Sequence, residues 1–265
     1  MIASDLPAPI DCAHWETGEG EPLFLIHGIG ASHATWDGVV NALDGRYRCI
    51  TYDLRGHGIS PLPDGTFQLD ALVADLEALR KKLGIESAHL AGHSLGGMIG
   101  PAYARCFPER VRSLGLLSTA AGRTEEDSRK VQSVVAAMER DGIPNILSTL
   151  VDRWYTDDFA ARNPDKVQAR LDQITGMSAE VFLNVFHIYA ETEMAPWLHE
   201  VACPCLVMTG EFDGGCNPRL NRFIADELSD AELVILDDLK HSILIEAPDR
   251  VVAPVKDFLL RNRDI

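Results

Sequence analysis

No basic residue precedes Arg46, and nowhere do lysines and arginines gather into a run. An export signal needs a positive start before an apolar run, and a transit segment needs arginines. Residues 1–20 offer Asp5, Pro7, Pro9 and Asp11 instead, so neither is expected. Long apolar runs are missing too: no stretch approaches the roughly 20 residues that span a bilayer. Positive charge is scarce overall, with 24 Lys and Arg against 40 Asp and Glu and a formal net charge of −16. A surface that negative repels nucleic acid and anionic membranes. The expectation is a cytoplasmic protein acting on a small molecule, with no nucleic-acid or membrane partner. Exposed charges are screened beyond about 8 Å at physiological salt, so an anionic ligand stays open if one arginine sits in the pocket.

Cysteine is present but unorganised. Cys12, Cys49, Cys106, Cys203, Cys205 and Cys216 read as free thiols in a chain without an export signal. Cys203-Pro204-Cys205 has no second ligand pair nearby, which argues against a metal site there. No metal and no cofactor are expected. Nor are staples needed: 265 residues, 46% of them hydrophobic, can bury a substantial core.

What the chain does have is alternation. Apolar runs of strand length at 22–27, 47–53, 87–92, 111–118, 203–209 and 231–236 alternate with helix-periodic segments at 68–84, 95–107, 217–228 and 248–260. In the first helix Leu69, Leu72, Val73, Leu76, Leu79 and Leu83 share one face, and Gly84 stops it. Continuous apolar strands between helices imply an α/β fold, a mostly parallel sheet covered on both faces. Ligands then sit beyond the carboxyl ends of the strands. Residues 124–200 break the rhythm with consecutive helices. Thr124-Glu125-Glu126-Asp127 resembles a capping box, Pro144 takes a first-turn position before Ile146 to Trp154, and Asn163-Pro164 and Ser178 open two more. The division expected is a core of residues 1–122 and 201–265 with an all-helical cap, 123–200, over the ligand end.

The chemistry sits just after the strands. Gly92-His93-Ser94-Leu95-Gly96 fits G-x-S-x-G between a strand and a helix. There a serine is held in a strained turn at a helix N-terminus, whose dipole favours developing negative charge. A serine needs a base to take its proton. His241, after the last strand, is the candidate, while His27 and His57 in glycine loops read as structural. The acid that orients the base is Asp213, with Glu211 as its main rival; Asp237 and Asp238 stand too close to His241 in sequence to reach around its ring. Backbone N–H groups of Ile29 and Leu95 are the candidate oxyanion donors. Cys216, three residues past Asp213, belongs near the pocket and reads first as a small apolar filler.

Together His27-Gly28-Ile29-Gly30, Asp53-Leu54-Arg55-Gly56-His57-Gly58, Gly92 to Gly97, Gly210 to Asp213 and His241 resemble the α/β-hydrolase superfamily along almost the whole chain. The resemblance implies its fold and a Ser94–His241–Asp213 triad, with Asp53 and Arg55 structural. It disfavours dehalogenases and epoxide hydrolases, which carry Asp where Ser94 stands. A narrower similarity, Arg153 to Phe159 followed by Asn163-Pro164, is to 3-oxoadipate enol-lactonases. It implies a carboxylate-bearing substrate, with Arg153 pairing to it and Trp154 as an apolar wall. Two departures, His27 in the oxyanion loop and His93 before the serine, leave esterases and amide- or carbon–carbon-cleaving ring-fission hydrolases open. A receptor-like member that binds without turnover is the reading from another class.

Overall fold

The computed structural model describes residues 5–263. Seven strands form one sheet: β1 His14–Thr17, β2 Glu21–Ile26, β3 Tyr47–Tyr52, β4 Ala88–His93, β5 Val111–Leu117, β6 Cys205–Gly210 and β7 Ala231–Leu236. Their spatial order is β1-β3-β2-β4-β5-β6-β7. Only β1 runs antiparallel, pairing with β3; every other neighbour is parallel.

Side chains leave successive strand positions on opposite faces, and both faces are covered. Phe24, Ile26, Leu90, Leu114 and Leu116 join one apolar cluster with residues of α2 (Leu69–Lys82) and α3 (Gly96–Cys106). Leu23, Leu25, Leu117, Leu206 and Met208 join the other with residues of α1 (Asp37–Leu43) and, at the chain end, the helix Pro248–Arg261. Gly84, at φ +65°, ends α2 as expected.

Four short elements go unread in the sequence: β1, α1, and the helices Asp157–Arg162 and Ile243–Glu246. β1 is four residues long and only half-buried or exposed. In α1 only Val39 and Leu43 are buried, too few to make an apolar stripe.

Five helices lie between β5 and β6: α4 Glu125–Asp141, α5 Leu147–Trp154, α6 Asp157–Arg162, α7 Pro164–Gly176 and α8 Ala179–Glu191. Three of the expected starts are in place. The Thr124 hydroxyl accepts from Asp127 N–H at 3.2 Å and the Asp127 carboxylate accepts from Thr124 N–H at 2.8 Å. Pro164 is at the first turn of α7, and the Ser178 hydroxyl accepts from Val181 N–H. Pro144 differs. It sits in a single 3-10 turn, Ile143–Asn145, ahead of α5. Gly142 at φ +82° has just ended α4, and Asn145 N–H and Ile146 N–H reach back only three residues, to Gly142 and Ile143. After β6 come α9 Pro218–Glu227, β7, α10 Ile243–Glu246 and α11 Pro248–Arg261. No helix among the described residues is long and apolar enough to cross a membrane.

Candidate active site

Ser94 stands between β4 and α3 at φ +56°, a left-handed conformation unusual for a residue with a side chain. Its neighbours make room. A Cβ on Gly92 would overlap the carbonyl oxygen of Gly96, and one on Gly96 would overlap that of Ile26. Ser94 N–H donates to Leu117 O at 2.8 Å, fixing the turn against β5. The serine faces a cavity of about 670 Å³ that His241, Asp213, Ile29 and Cys216 also line.

His241 Nδ1–H donates to Asp213 Oδ2 at 2.7 Å. The other carboxylate oxygen, Oδ1, accepts from Cys216 N–H at 2.7 Å and Gly215 N–H at 3.0 Å. Burial pushes Asp213 toward its neutral form, but His241 and those amides outweigh it and hold the carboxyl below its usual range. Burial likewise opposes a charged His241, yet the Asp213 carboxylate prevails and lifts the imidazole above its ordinary value. Glu211, the rival acid, is exposed and accepts from Asp238 N–H at 3.1 Å, away from the ring. No hydrogen bond joins Ser94 Oγ to His241 among the described residues; such contacts commonly tighten only when substrate arrives.

The loop carrying Ile29 is clamped from several sides. His27 Nδ1–H donates to Gly28 O at 2.8 Å and its Nε2 accepts from Leu54 N–H at 3.0 Å. His57 Nδ1–H donates to Arg55 O at 3.0 Å and its Nε2 accepts from Gly30 N–H at 3.1 Å. Burial keeps both rings neutral, His27 well below the usual imidazole value and His57 down at about 4. Gly28 lets this loop lie against the serine: a Cβ there would stand 2.9 Å from Ser94 Cβ. The Ile29 and Leu95 N–H groups have no partner among the described hydrogen bonds; Leu95 follows Ser94 in sequence, and Ile29 belongs to the loop packed against it. Asp53 and Arg55 are structural: Asp53 accepts from His33 and Ile59, and Arg55 pairs in bidentate fashion with buried Asp75 at 2.7 Å.

Arg153 and Trp154 both line the cavity, Arg153 exposed and Trp154 half-buried. Trp154 O accepts from Ser242 N–H at 2.9 Å, so the end of α5 also holds the His241 loop.

Two features, Arg170 and the bond made by His93, escaped sequence reasoning. Arg170, on α7, stacks its guanidinium 5.0 Å from the Trp154 ring centre and donates to Ile29 O at 2.7 Å and to Gly30 O. Gln173 Oε1 is its remaining hydrogen-bond partner at 3.0 Å; no carboxylate pairs with it among the described residues. Burial pulls its pKa down to about 10, which leaves it charged at neutral pH. In sequence it is one charge among Asp165, Lys166 and Asp172 on a polar helix, and nothing marks it out. His93, beside the serine, packs its ring 5.0 Å from that of His241 and donates Nε2–H to His241 O at 3.0 Å; burial holds it neutral, down at about 3. The Cys216 thiol lies in the cavity wall, 3.5 Å from the Tyr189 hydroxyl.

Comparison with known proteins agrees with this architecture. The chain is 28% identical over 226 residues to 3-oxoadipate enol-lactonase 2 of Acinetobacter baylyi, covering 85% of this chain and 84% of that one. The crystal structure of the enol-lactonase from Burkholderia xenovorans superposes with a TM-score of 0.86 at 26% identity, covering 94% of this chain and 96% of that one. A thermophilic esterase from Thermogutta terrifontis, solved with malate bound, gives a TM-score of 0.86 at 26% identity over 96% and 94% of the two chains. The α/β-hydrolase fold family profile matches residues 21–248, and the chain belongs to that family.

Proposed function

We propose that this protein is a serine hydrolase that cleaves a small ester or lactone bearing a carboxylate. The observation that carries the reading is the buried Asp213–His241 pair, joined at 2.7 Å, opening into the cavity that the strained Ser94 also faces. In this reading His241 takes the Ser94 proton as the serine attacks the carbonyl. The N–H groups of Ile29 and Leu95 receive the oxyanion. His241 then gives the proton to the leaving alcohol or enol, and water releases the acyl-enzyme by the same route in reverse.

The carboxylate preference rests on Arg170 and Arg153. Arg170 is a half-buried cation on the cavity wall whose described partners are two carbonyls, an amide oxygen and an aromatic face. A guanidinium so placed keeps donor capacity for a planar anion. The names of the enol-lactonase relatives point to the same substrate class. Helices α4–α8 act as the cap in this reading, since Val134, Leu150, Trp154 and Phe186 supply apolar lining to the cavity that Ser94 faces.

A panel tests this: an enol-lactone dicarboxylate, its neutral methyl ester, short acyl esters and a secondary amide, with wild type and Ser94→Ala. Preference for the anionic lactone, lost in Ser94→Ala, supports the reading. Preference for neutral esters removes the carboxylate part, and binding without turnover favours the receptor-like alternative.

A further inference from the structure

The cavity wall behind the base holds three different metal-ligand types. Cys216 Sγ, a carboxylate oxygen of Asp213 and a ring nitrogen of His241 all lie within 4.8 Å of one another. Of the six cysteines, Cys216 alone lines the cavity that holds Ser94. We propose that these three side chains form an inhibitory site for a thiophilic divalent cation of the Zn²⁺ type, so that the ion switches hydrolysis off.

The chemistry suits that class. Thiolate, imidazole and carboxylate together favour zinc over the hard cations Mg²⁺ and Ca²⁺. Zinc bonds of about 2.0–2.3 Å place tetrahedral ligand atoms roughly 3.3–3.8 Å apart, so a shift on the order of 1 Å closes the triangle around an ion. The fourth position faces the cavity, where water completes the shell. The Cys216 thiol already faces the ring: besides a 3.5 Å contact to the Tyr189 hydroxyl, it stands within hydrogen-bond reach of the His241 side chain. The Cys216 backbone is held by the N–H bond to Asp213 and by the carbonyl, which accepts from Thr209 Oγ1 at 2.8 Å and Asn221 Nδ2 at 2.7 Å. Coordination releases the thiol proton to solvent and forms the metal–sulfur bond. If the ion takes His241 Nδ1, it displaces Asp213 from that nitrogen and leaves the ring proton on Nε2, where no Ser94 proton can be accepted. If it takes Nε2, it occupies the acceptor itself. Either way the base is lost while the ion stays bound, and chelation restores it.

Binding and inhibition are read separately, because the inhibition arm rests on the serine-hydrolase reading and the binding arm does not. The binding probe is Co²⁺, titrated into the intact protein and followed by its thiolate-to-metal charge-transfer absorption. The inhibition probe is Zn²⁺ against hydrolysis of a short acyl ester, each variant normalised to its own metal-free rate, with EDTA reversal. The variants are Cys216→Ser, Cys216→Ala in case one fails to fold, and His187→Ala, which removes a surface histidine flanked by Glu139 and Glu191. Expected are a thiolate band and reversible inhibition in wild type and His187→Ala. Both cysteine variants should lose the band and need at least roughly tenfold more Zn²⁺, about 1.4 kcal/mol of site affinity. Equal inhibition of wild type and both cysteine variants, or a band that survives Cys216 replacement, overturns the site. A thiolate band in wild type without inhibition keeps the site and overturns the switch. If no ester is turned over at all, the serine-hydrolase reading has failed and the Co²⁺ band alone decides the site.

Discussion

Replacing Asp213 by Asn is a nearly isosteric change whose consequence follows from the hydrogen bonds around the carboxylate. Oδ1 accepts from two backbone donors, Cys216 N–H at 2.7 Å and Gly215 N–H at 3.0 Å. In Asp213→Asn the amide oxygen must stay there, because an NH₂ would face two N–H groups. The NH₂ is then placed against His241 Nδ1, where the wild type has an acceptor at 2.7 Å. It donates to Nδ1, so the ring proton moves to Nε2 and the face toward Ser94 becomes a donor. A base in the wrong tautomer costs on the order of 10⁴ in kcat, as in other serine–histidine–aspartate sites. That is about 5.5 kcal/mol of barrier. KM should change little, since Asp213 stands behind the ring. A second signature is the pH profile. The base works only when neutral, so kcat/KM rises with pH as His241 loses its proton. In wild type the Asp213 carboxylate places that rise above the ordinary imidazole value, near 6.5. In Asp213→Asn the support is gone and the residual rise moves to lower pH. The assay is hydrolysis of a p-nitrophenyl ester from pH 5 to 10, with Glu211→Gln as the control at the rival acid. A loss below about tenfold, or an unmoved rise, would refute the assignment of Asp213.

Two further outcomes follow from contacts in the same cavity. Arg170→Met removes a cation from the cavity wall and a tether from the Ile29 loop. The ratio of kcat/KM for an anionic over a neutral substrate should fall roughly 10- to 100-fold, since a charged hydrogen bond contributes about 1.5–3 kcal/mol; an unchanged ratio removes Arg170 from substrate recognition. Gly96→Ala drives a Cβ into the Ile26 carbonyl and should destabilise the fold by on the order of 3 kcal/mol or more, seen as a lowered denaturant midpoint; wild-type stability would contradict the tight turn described for Ser94.

How much of this the sequence disclosed depended on whether a residue's role left a local pattern. The five buried parallel strands of the core announce themselves as apolar runs, and the Gly92–Gly96 turn announces itself because only glycine fits beside those carbonyls. Asp213 and His241 were legible from their positions after β6 and β7. Arg170 was not, because its meaning comes from α7 lying over the Ile29 loop, a contact between residues 141 positions apart. The bond from His93 to His241 O spans 148 positions and likewise has no local trace. The edge strand β1 was invisible for the opposite reason: it buries too little to need an apolar sequence.

The central claim is that Ser94 is the nucleophile, and intact-mass spectrometry with a fluorophosphonate tests it most directly. The account predicts one phosphonyl adduct per chain on the wild type, mapped to Ser94, absent from Ser94→Ala and formed far more slowly in Asp213→Asn. An unmodified wild type, or an adduct that persists on Ser94→Ala, would contradict it.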